Sequence, residues 1–113
     1  MAIERIEYQA GSVKGLGALI YDEKTVGKRP LLLVMPNWLG VTEHAIKRAQ
    51  KMAGDKYVAM VADMYGEGKT CAGPPTSQDW MMAVRKDRVE GRARANAALG
   101  CLCLLYTSDA ADE

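Results

Sequence analysis

Two short runs of apolar residues, separated by a segment with helical periodicity, constrain the fold of this chain more than any other feature. The runs are LLLVM at 31–35 and YVAMVA at 57–62. Neither run alternates with polar residues, and this pattern indicates strands buried on both faces of a parallel sheet. Because parallel strands need a crossover and the crossover is right-handed, the sequence predicts a strand–helix–strand unit, with the first run placed centrally in the sheet.

The segment between the two runs predicts the crossover helix. Thr42 is suited to cap its first turn, and Glu43 complements the positive N-terminal end of the helix dipole. Gly54 is suited to end the helix in a left-handed conformation. The apolar residues at helical spacing are Ala45, Ile46, Ala49, Met52 and Ala53.

The segments before the first run predict two further strands. Residues 1–9 and 13–20 alternate loosely between apolar and polar side chains, and Gly11 interrupts them. Their polar content favours an antiparallel pair at the edge of the sheet, where one face stays wet. Residues 22–30, DEKTVGKRP, predict a solvated loop.

A second helix and a change of character follow. Ser77 can cap a helix that runs to about Leu99, and Gly91 weakens its middle by about 1 kcal/mol relative to Ala. The last stretch, GCLCLLYTSDAADE, has neither a helical nor an alternating apolar pattern, and its ending LYTSDAADE resembles translated sequencing-adapter read-through. We therefore divide the chain into a domain portion at 1–99 and a tail at 100–113 that we predict to be non-native; a natural, disordered acidic tail is the alternative.

The composition argues against several classes of function. The net charge is +1, and no run of Lys and Arg forms a stripe, so nucleic-acid binding is not expected. The longest apolar run is far shorter than the roughly 20 residues of a membrane-spanning helix, and no export signal is visible, so we expect a soluble, cytoplasmic protein without a membrane partner. Cys71, Cys101 and Cys103 lack disulfide spacing and are predicted to be reduced.

Three segments, taken together, resemble the dienelactone hydrolase family of α/β-hydrolases. They are LLLVMPNWLGV at 31–41, VAMVADMYGEGK at 58–69 and RARANAAL at 92–99. The resemblance implies an incomplete α/β-hydrolase fold: two edge strands, then strand, helix, strand and helix, ending before the nucleophile strand. No G-x-C-x-G or G-x-S-x-G motif occurs in the sequence. The resemblance therefore places the nucleophile, the acid and the histidine of the triad outside this chain.

The turn after the first apolar run is the candidate oxyanion site. A buried strand that breaks at Pro36 and Asn37 and leads into a helix presents backbone N–H groups at the carboxyl edge of the sheet, where ligands bind. Hydrolases of this fold take one oxyanion donor from this turn, and the resemblance assigns it to the backbone N–H of Trp38. The best-known dienelactone hydrolases carry a cysteine-gating glutamate where this chain has Asn37. Asn37 is predicted either to bind substrate or to form the turn by bonding its own backbone.

Four other side chains near this edge invite a functional interpretation. Asp63 ends a buried strand but precedes the nucleophile, whereas the triad acid of this fold follows it, so we predict a turn residue that accepts backbone hydrogen bonds. Tyr65 either lines the substrate pocket or simply packs. His44, in the first turn of the first helix, is predicted to face solvent, and Cys71 is predicted to be a free surface thiol.

The remaining motifs are weaker. Arg85 and Arg88, with Arg92, recur at helical spacing and could form one substrate-carboxylate-binding face, although a solvated helix face is more common. The GKT at 68–70 matches the end of a phosphate loop, but an aspartate takes the place of the first glycine, so no nucleotide site is expected. The C-x-C pair at 101–103 lacks two further ligands, so neither a metal nor a cofactor is predicted.

The sequence therefore predicts a hydrolase of the dienelactone hydrolase type that acts on a small ester or lactone through an acyl-enzyme. This chain alone is predicted to be inactive because it carries no nucleophile. The alternative is a small flavodoxin-like βαβ module that binds an anion at a helix N-terminus without catalysis; the encoding DNA past Leu99 would separate the two. In the α/β-hydrolase fold the run at 31–35 lies between the run at 57–62 and the nucleophile strand, so a chain without that strand leaves one edge of a fully apolar strand unpaired. Such an edge favours aggregation, and poor solubility is therefore also predicted.

Overall fold

The computed structural model describes residues 1–24 and 29–111, which form one four-stranded sheet with helices on both faces. Residues 25–28 of the predicted solvated loop and residues 112 and 113 of the predicted tail lie outside the described residues. In chain order the elements are β1 (Ala2–Ala10), β2 (Val13–Tyr21), β3 (Leu31–Val34), α1 (Glu43–Ala53), β4 (Val58–Val61), α2 (Thr76–Lys86) and α3 (Arg88–Ala111).

The two apolar runs form the predicted parallel pair. Strands β3 and β4 are parallel, with Leu31 opposite Val58 and Val34 opposite Val61, and α1 connects them. The strand order is β1-β2-β4-β3, so within the described residues β3 is paired on one side only. This is the unpaired edge predicted for a chain without the nucleophile strand, and the central place predicted for this run refers to the whole fold. The apolar pattern of β3 reflects cover by helices on both faces, and this does not require a strand on both sides.

The N-terminal strands form the predicted antiparallel hairpin, which pairs β1 with β2 along their full lengths. Strand β1 is the wet edge strand that its polar residues predict. Strand β2 also pairs with β4, with Ala18 opposite Val61, and its Ala18 and Ile20 are fully buried. The prediction of an antiparallel pair at the edge of the sheet is therefore confirmed, with β1 outermost and β2 paired on both sides.

Helix α1 begins and ends at the predicted residues, although Gly54, with a ψ of −137°, is not in the left-handed helical conformation that was predicted for it. The Thr42 side chain accepts a hydrogen bond of 3.1 Å from the Ala45 N–H, and Gly54 takes a positive φ of 53° while its N–H donates to the Gln50 carbonyl at 3.0 Å. Because the inward face of α1 carries alanines, its backbone can approach the sheet closely. This face packs in a cluster that contains Ala45, Ala49, Ala53, Ala18, Ile20, Val34, Val41, Ala59 and Val61.

The second predicted helix is two helices. Asp87, between α2 and α3, has an extended backbone (φ −106°, ψ 88°), and its carboxylate accepts a hydrogen bond of 3.0 Å from the Glu90 N–H. An aspartate that caps a new helix competes with continuation of the preceding one, which explains why the single-helix prediction is wrong. Pro75, and not Ser77, occupies the N-cap position of α2, and Gly91 lies in the first turn of α3.

Helix α3 covers the other face of the sheet and continues past Leu99 to Ala111. Leu102 is fully buried and packs in a cluster with Leu19, Val58, Met60, Ala62 and Ala98. The expectation that the helix ends at about Leu99 is therefore wrong. Leu102 shares a face with Ala98 because it lies four positions further along the helix. That the tail is foreign to the gene stays a prediction.

Candidate active site

The candidate oxyanion turn, residues 36–40, connects the end of β3 to α1. Asn37 organises it with two oxygens: its side-chain Oδ1 accepts from the Leu39 N–H at 3.0 Å, and its backbone carbonyl accepts from the Gly40 N–H at 3.2 Å. This is the turn-forming role that the sequence allowed for Asn37. Gly40 has a φ of 92°, which favours glycine, and begins the chain's approach to the Thr42 cap.

The peptide unit between Asn37 and Trp38 determines where a bound oxyanion could lie. The described chain has a cis peptide bond only at Pro74–Pro75, so this unit is trans and its N–H points away from its C=O. The carbonyl oxygen is engaged by Gly40. Among the hydrogen bonds of residues 1–24 and 29–111, none uses the Trp38 N–H. The oxygen of the unit is therefore anchored, and its N–H is available to an acceptor.

The loop that follows β4 is built around Asp63, a fully buried carboxylate. Asp63 Oδ1 accepts from the N–H groups of Tyr65 and Gly66, and Oδ2 accepts from those of Leu16 and Gly68. Four backbone donors confirm the prediction of a turn-forming residue. They also fix the start of the loop, on which Tyr65 stands.

This loop packs directly on the oxyanion turn. The Tyr65 hydroxyl donates to the Trp38 carbonyl at 2.7 Å, and the Cys71 N–H donates to the Leu39 carbonyl at 3.1 Å. Gly40 and Thr70 form an isolated antiparallel bridge. Burial raises the pKa of Tyr65 above its ordinary value of 10.0, so the hydroxyl remains a donor well into the alkaline range. The two segments therefore form one hydrogen-bonded unit.

A cleft of about 310 Å³ lies beside this unit. Four residues proposed from the sequence meet there, namely Asn37, Trp38, Tyr65 and Arg85. The remaining wall is apolar and is formed by Pro36, Met64, Met81 and Val84, together with Gly40. The cleft therefore combines an apolar wall with one exposed cation and the oxyanion turn, an arrangement suited to a small substrate with a polar reacting group.

Arg88 does not join this cleft. The break at Asp87 separates α2, which carries Arg85, from α3, which carries Arg88. Arg88 lines a different groove, along α3, together with Arg92 and Asn96. The prediction that Arg85 and Arg88 share one carboxylate-binding face is therefore wrong, because the helical spacing on which it depended is interrupted between them.

The other sequence candidates stay peripheral. His44 is exposed in the first turn of α1, as predicted, and Cys71 is a half-buried free thiol. The GKT at 68–70 precedes no helix, since α2 begins only at Thr76. In the described ranges no three metal-ligating side chains come together, and no helix there is both long and apolar enough to cross a membrane.

A polar cluster that no sequence motif indicated lies beside the cleft. Glu90 Oε1 accepts from the N–H and the hydroxyl of Ser12, both at 2.7 Å, and from Arg94 Nε at 3.0 Å. Hydrogen bonds from Ser12, followed by the Arg94 guanidinium, lower the pKa of Glu90 from its ordinary 4.5 to about 2. Arg94 also donates to the Met64 carbonyl at 2.8 Å, so the cluster holds one wall of the cleft.

Comparison with known proteins identifies the family. The model of the dienelactone hydrolase family matches residues 16–107. A solved structure named m3DLH superposes with a TM-score of 0.82 at 35% identity, and a dienelactone hydrolase-like promiscuous phosphotriesterase from metagenomic libraries superposes with a TM-score of 0.80 at 31% identity. Each match covers 89% of this chain and 42% of the other, so this chain spans less than half of either neighbour. No curated protein matches it. The chain belongs to the dienelactone hydrolase family and has part of an α/β-hydrolase fold.

Proposed function

We propose that this chain supplies the oxyanion side of a hydrolase that cleaves a small ester or lactone through an acyl-enzyme. The observation that carries the proposal is the Trp38 N–H, which is unengaged in the described residues and belongs to a peptide unit anchored at its carbonyl oxygen. A donor held in this way needs no reorganisation when negative charge develops on the substrate oxygen. Trp38 is therefore the residue of this chain that contacts the reacting atoms.

The reaction would run in two steps. A nucleophile attacks the ester carbonyl, whose oxygen becomes an oxyanion. Collapse of this tetrahedral intermediate breaks the C–O bond and leaves an acyl-enzyme; the leaving oxygen takes a proton and departs as the alcohol, or in a lactone stays attached to the acyl group as a hydroxyl. Water then attacks the acyl-enzyme and forms a second oxyanion, whose collapse releases the acid and restores the nucleophile. The Trp38 N–H would bind both oxyanions, with a second N–H from the residue after the nucleophile. The nucleophile lies outside these 113 residues, and the chain alone is proposed to be inactive.

The cleft suggests how a substrate would be held. Met64, Met81 and Val84 offer an apolar surface for an acyl or ring portion. Arg85 places an exposed positive charge at the same cleft and would attract a substrate that carries a carboxylate. A cytoplasmic location, expected from the sequence, stays part of this proposal.

A second candidate is phosphotriester hydrolysis, because one neighbour, 31% identical, is a dienelactone hydrolase-like promiscuous phosphotriesterase. Attack on a phosphotriester also builds negative charge on an oxygen, and the same Trp38 N–H could stabilise it. The non-catalytic alternative, anion binding at the N-terminus of α1, would use the same turn without chemistry. Turnover separates the hydrolase proposals from this alternative, and the substrate that is turned over separates them from each other.

The first experiment is to read the encoding gene past the codon for Leu99 and to express the open reading frame that it reveals. We expect a strand followed by G-x-[CS]-x-G. We also expect turnover of p-nitrophenyl acetate with release of one equivalent of p-nitrophenol, or opening of a small lactone to its hydroxy acid. Paraoxon in place of the ester tests the phosphotriester candidate. A frame without such a motif, or a protein that binds phosphate and turns over neither substrate, would favour the binding module.

A matched pair of variants then tests the donor itself. Trp38→Pro removes the backbone N–H, whereas Trp38→Ala removes the side chain and keeps the N–H. We expect Trp38→Pro to lower kcat by about 10²–10³-fold, the usual effect of losing one oxyanion donor, and Trp38→Ala to lower it by about tenfold or less. Equal losses in two folded variants would assign the effect to the indole ring and not to the donor.

A further inference from the structure

The carbonyl of Trp38 and the side chain of Tyr65 form a contact that the proposed reaction does not itself require. The Tyr65 hydroxyl donates to this carbonyl at 2.7 Å, the ordinary distance of a well-formed O–H···O hydrogen bond. Cys71 Sγ lies 3.6 Å from the same oxygen, but a thiol is a weak donor. The hydroxyl is therefore the principal hydrogen-bond donor to this oxygen among the described residues.

Two consecutive peptide units of the oxyanion turn are fixed from different sides. In the unit between Asn37 and Trp38, the carbonyl is held by the Gly40 N–H. In the unit between Trp38 and Leu39, the N–H is held by Asn37 Oδ1 and the carbonyl by Tyr65. Both units share the α-carbon of Trp38, so rotation of the second unit changes the ψ of Trp38 and strains the hydrogen bonds that hold the first.

Tyr65 is itself held in place. Its N–H donates to Asp63 Oδ1 at 3.2 Å, and its ring meets the ring of Trp80 edge to face, with centroids 5.2 Å apart and planes at 72°. Such aromatic pairs are directional, so the ring has a preferred orientation. Because the backbone of Tyr65 is held by Asp63 and its ring by Trp80, the hydroxyl has a defined position and can fix the carbonyl to which it donates.

We infer that Tyr65 is a positioning residue for the oxyanion hole: its hydroxyl, by fixing the Trp38 carbonyl, sets the direction in which the neighbouring Trp38 N–H meets the substrate oxygen. This inference rests on the proposed function of Trp38. Tyr65 acts through the turn and does not contact the reacting atoms. Its loss should therefore weaken binding of the transition state more than binding of the substrate.

The first test measures the turn without reference to catalysis, in the full product of the encoding gene, so that association of the isolated chain does not interfere. Tyr65→Phe keeps the ring and its contact with Trp80 but removes the hydroxyl; Tyr21→Phe is the matched control, because it removes an exposed hydroxyl bonded to Glu4 at 3.1 Å far from the turn. Amide hydrogen exchange is followed by NMR at the bonded N–H groups of Leu39 and Gly40. In Tyr65→Phe we expect both to exchange about five- to tenfold faster, and in Tyr21→Phe we expect no change.

A core amide separates loosening of the turn from general destabilisation. The Ala62 N–H donates to the Val34 carbonyl at 3.0 Å in the buried sheet, so its exchange reports opening of the whole domain. The inference requires that Leu39 and Gly40 accelerate more than Ala62. If they keep pace with Ala62, or do not accelerate at all, Tyr65 does not position the turn and the inference is overturned.

The second test uses the hydrolase that combines this chain with a nucleophile. We expect Tyr65→Phe to lower kcat by about five- to tenfold with KM within about twofold, and Tyr21→Phe to leave both unchanged. A raised KM with unchanged kcat would make Tyr65 a substrate contact and would overturn the inference. Failure of the proposed function of Trp38 can be distinguished from failure of this inference. In that case Trp38→Pro would retain activity, and the amide exchange of Leu39 and Gly40 would still decide whether Tyr65 positions the turn.

Discussion

Asp63 accepts a hydrogen bond of 2.9 Å from the backbone N–H of Leu16, which joins the end of β4 to the neighbouring strand β2. The same carboxylate accepts from Gly68 at 2.7 Å, Gly66 at 3.0 Å and Tyr65 at 3.2 Å. One buried side chain therefore fixes both the sheet and the loop that holds the oxyanion turn. This explains why an acid at the functional edge of the sheet is structural.

Asp63→Asn should destabilise the fold strongly. Each carboxylate oxygen accepts two N–H donors, and an amide would place its own NH₂ against one of these pairs. Loss of two charge-assisted hydrogen bonds in a buried site should lower the free energy of unfolding by about 3–5 kcal/mol. Urea unfolding measures this. Asp87→Asn is the control: Asp87 is exposed and asparagine caps a helix equally well, so an equally large effect there would contradict the explanation.

Glu90 should make the stability of this protein dependent on pH in strong acid. Hydrogen bonds from Ser12 and Arg94 lower its folded-state pKa from 4.5 to about 2. A lowered carboxylate pKa contributes stability that is fully present above the unfolded-state value and is lost as the pH falls from about 4.5 towards 2. We expect the urea midpoint to fall through this window, and Glu90→Gln to flatten that part of the profile.

The control for Glu90 is Glu7→Gln, which changes an exposed carboxylate on β1. In this variant the urea midpoint should fall between pH 4.5 and 2, the window set by Glu90, as steeply as it does in the unmodified chain. An equal flattening by both variants would mean that general charge repulsion, and not the contact of Glu90 with Ser12, controls acid unfolding.

Gly40 should tolerate no side chain. A Cβ at this position would lie 2.3 Å from the Lys69 carbonyl oxygen, and its φ of 92° is unfavourable for other residues. Gly40→Ala should therefore separate the oxyanion turn from the loop and destabilise the protein by more than the roughly 1 kcal/mol of backbone strain alone. Gly100→Ala is the comparison: nothing lies within 4 Å of its Cβ, and alanine favours the helix, so stability should rise by about 0.5–1 kcal/mol. Thermal unfolding of the two variants measures both effects.

The sequence predicted those parts of the fold that depend on neighbours along the chain. The apolar runs at 31–35 and 57–62 became the parallel strands, and Thr42 and Gly54 became the ends of α1. In each of these cases the determining interaction lies within a few residues or depends on burial of both faces of a strand. The position of the turn at residues 36–40 followed because it is the direct connection between two such elements.

The sequence alone did not predict the interactions between segments that are distant along the chain. The hydrogen bonds between Ser12 and Glu90 join residues 78 positions apart, and neither residue belongs to a motif. The break at Asp87 was missed because aspartate is compatible with helix at an exposed position, and only its capping bond to Glu90 reveals the start of a new helix. The Tyr65 contact with Trp38 was missed for the same reason, since it needs the loop after β4 to fold back on the turn after β3.

Leu102 tests whether the residues after Leu99 belong to the fold. Its side chain is fully buried, whereas that of Leu104, two positions later on α3, is 71% exposed. Leu102→Ala should lower the free energy of unfolding by about 2–5 kcal/mol, the usual effect of a cavity in a core, and Leu104→Ala should change it by about 0.5 kcal/mol or less. Equal small effects in urea unfolding would mean that α3 leaves the sheet before Leu102 in solution.

The exposed edge of β3 should make the isolated chain associate. In the described part of the sheet β3 is hydrogen-bonded to β4 on one side and to no strand on the other, and its residues are all apolar. An unpaired apolar edge is a template for pairing with a second chain. Sedimentation velocity over a broad range of concentration should show a growing oligomer fraction. Met35→Lys places a charge directly after β3, where Met35 is 48% exposed, and should reduce association; Met82→Lys, on α2 at 55% exposure, should not. A monodisperse monomer that melts cooperatively would contradict the prediction, and equal effects of the two lysines would locate the association elsewhere than at β3.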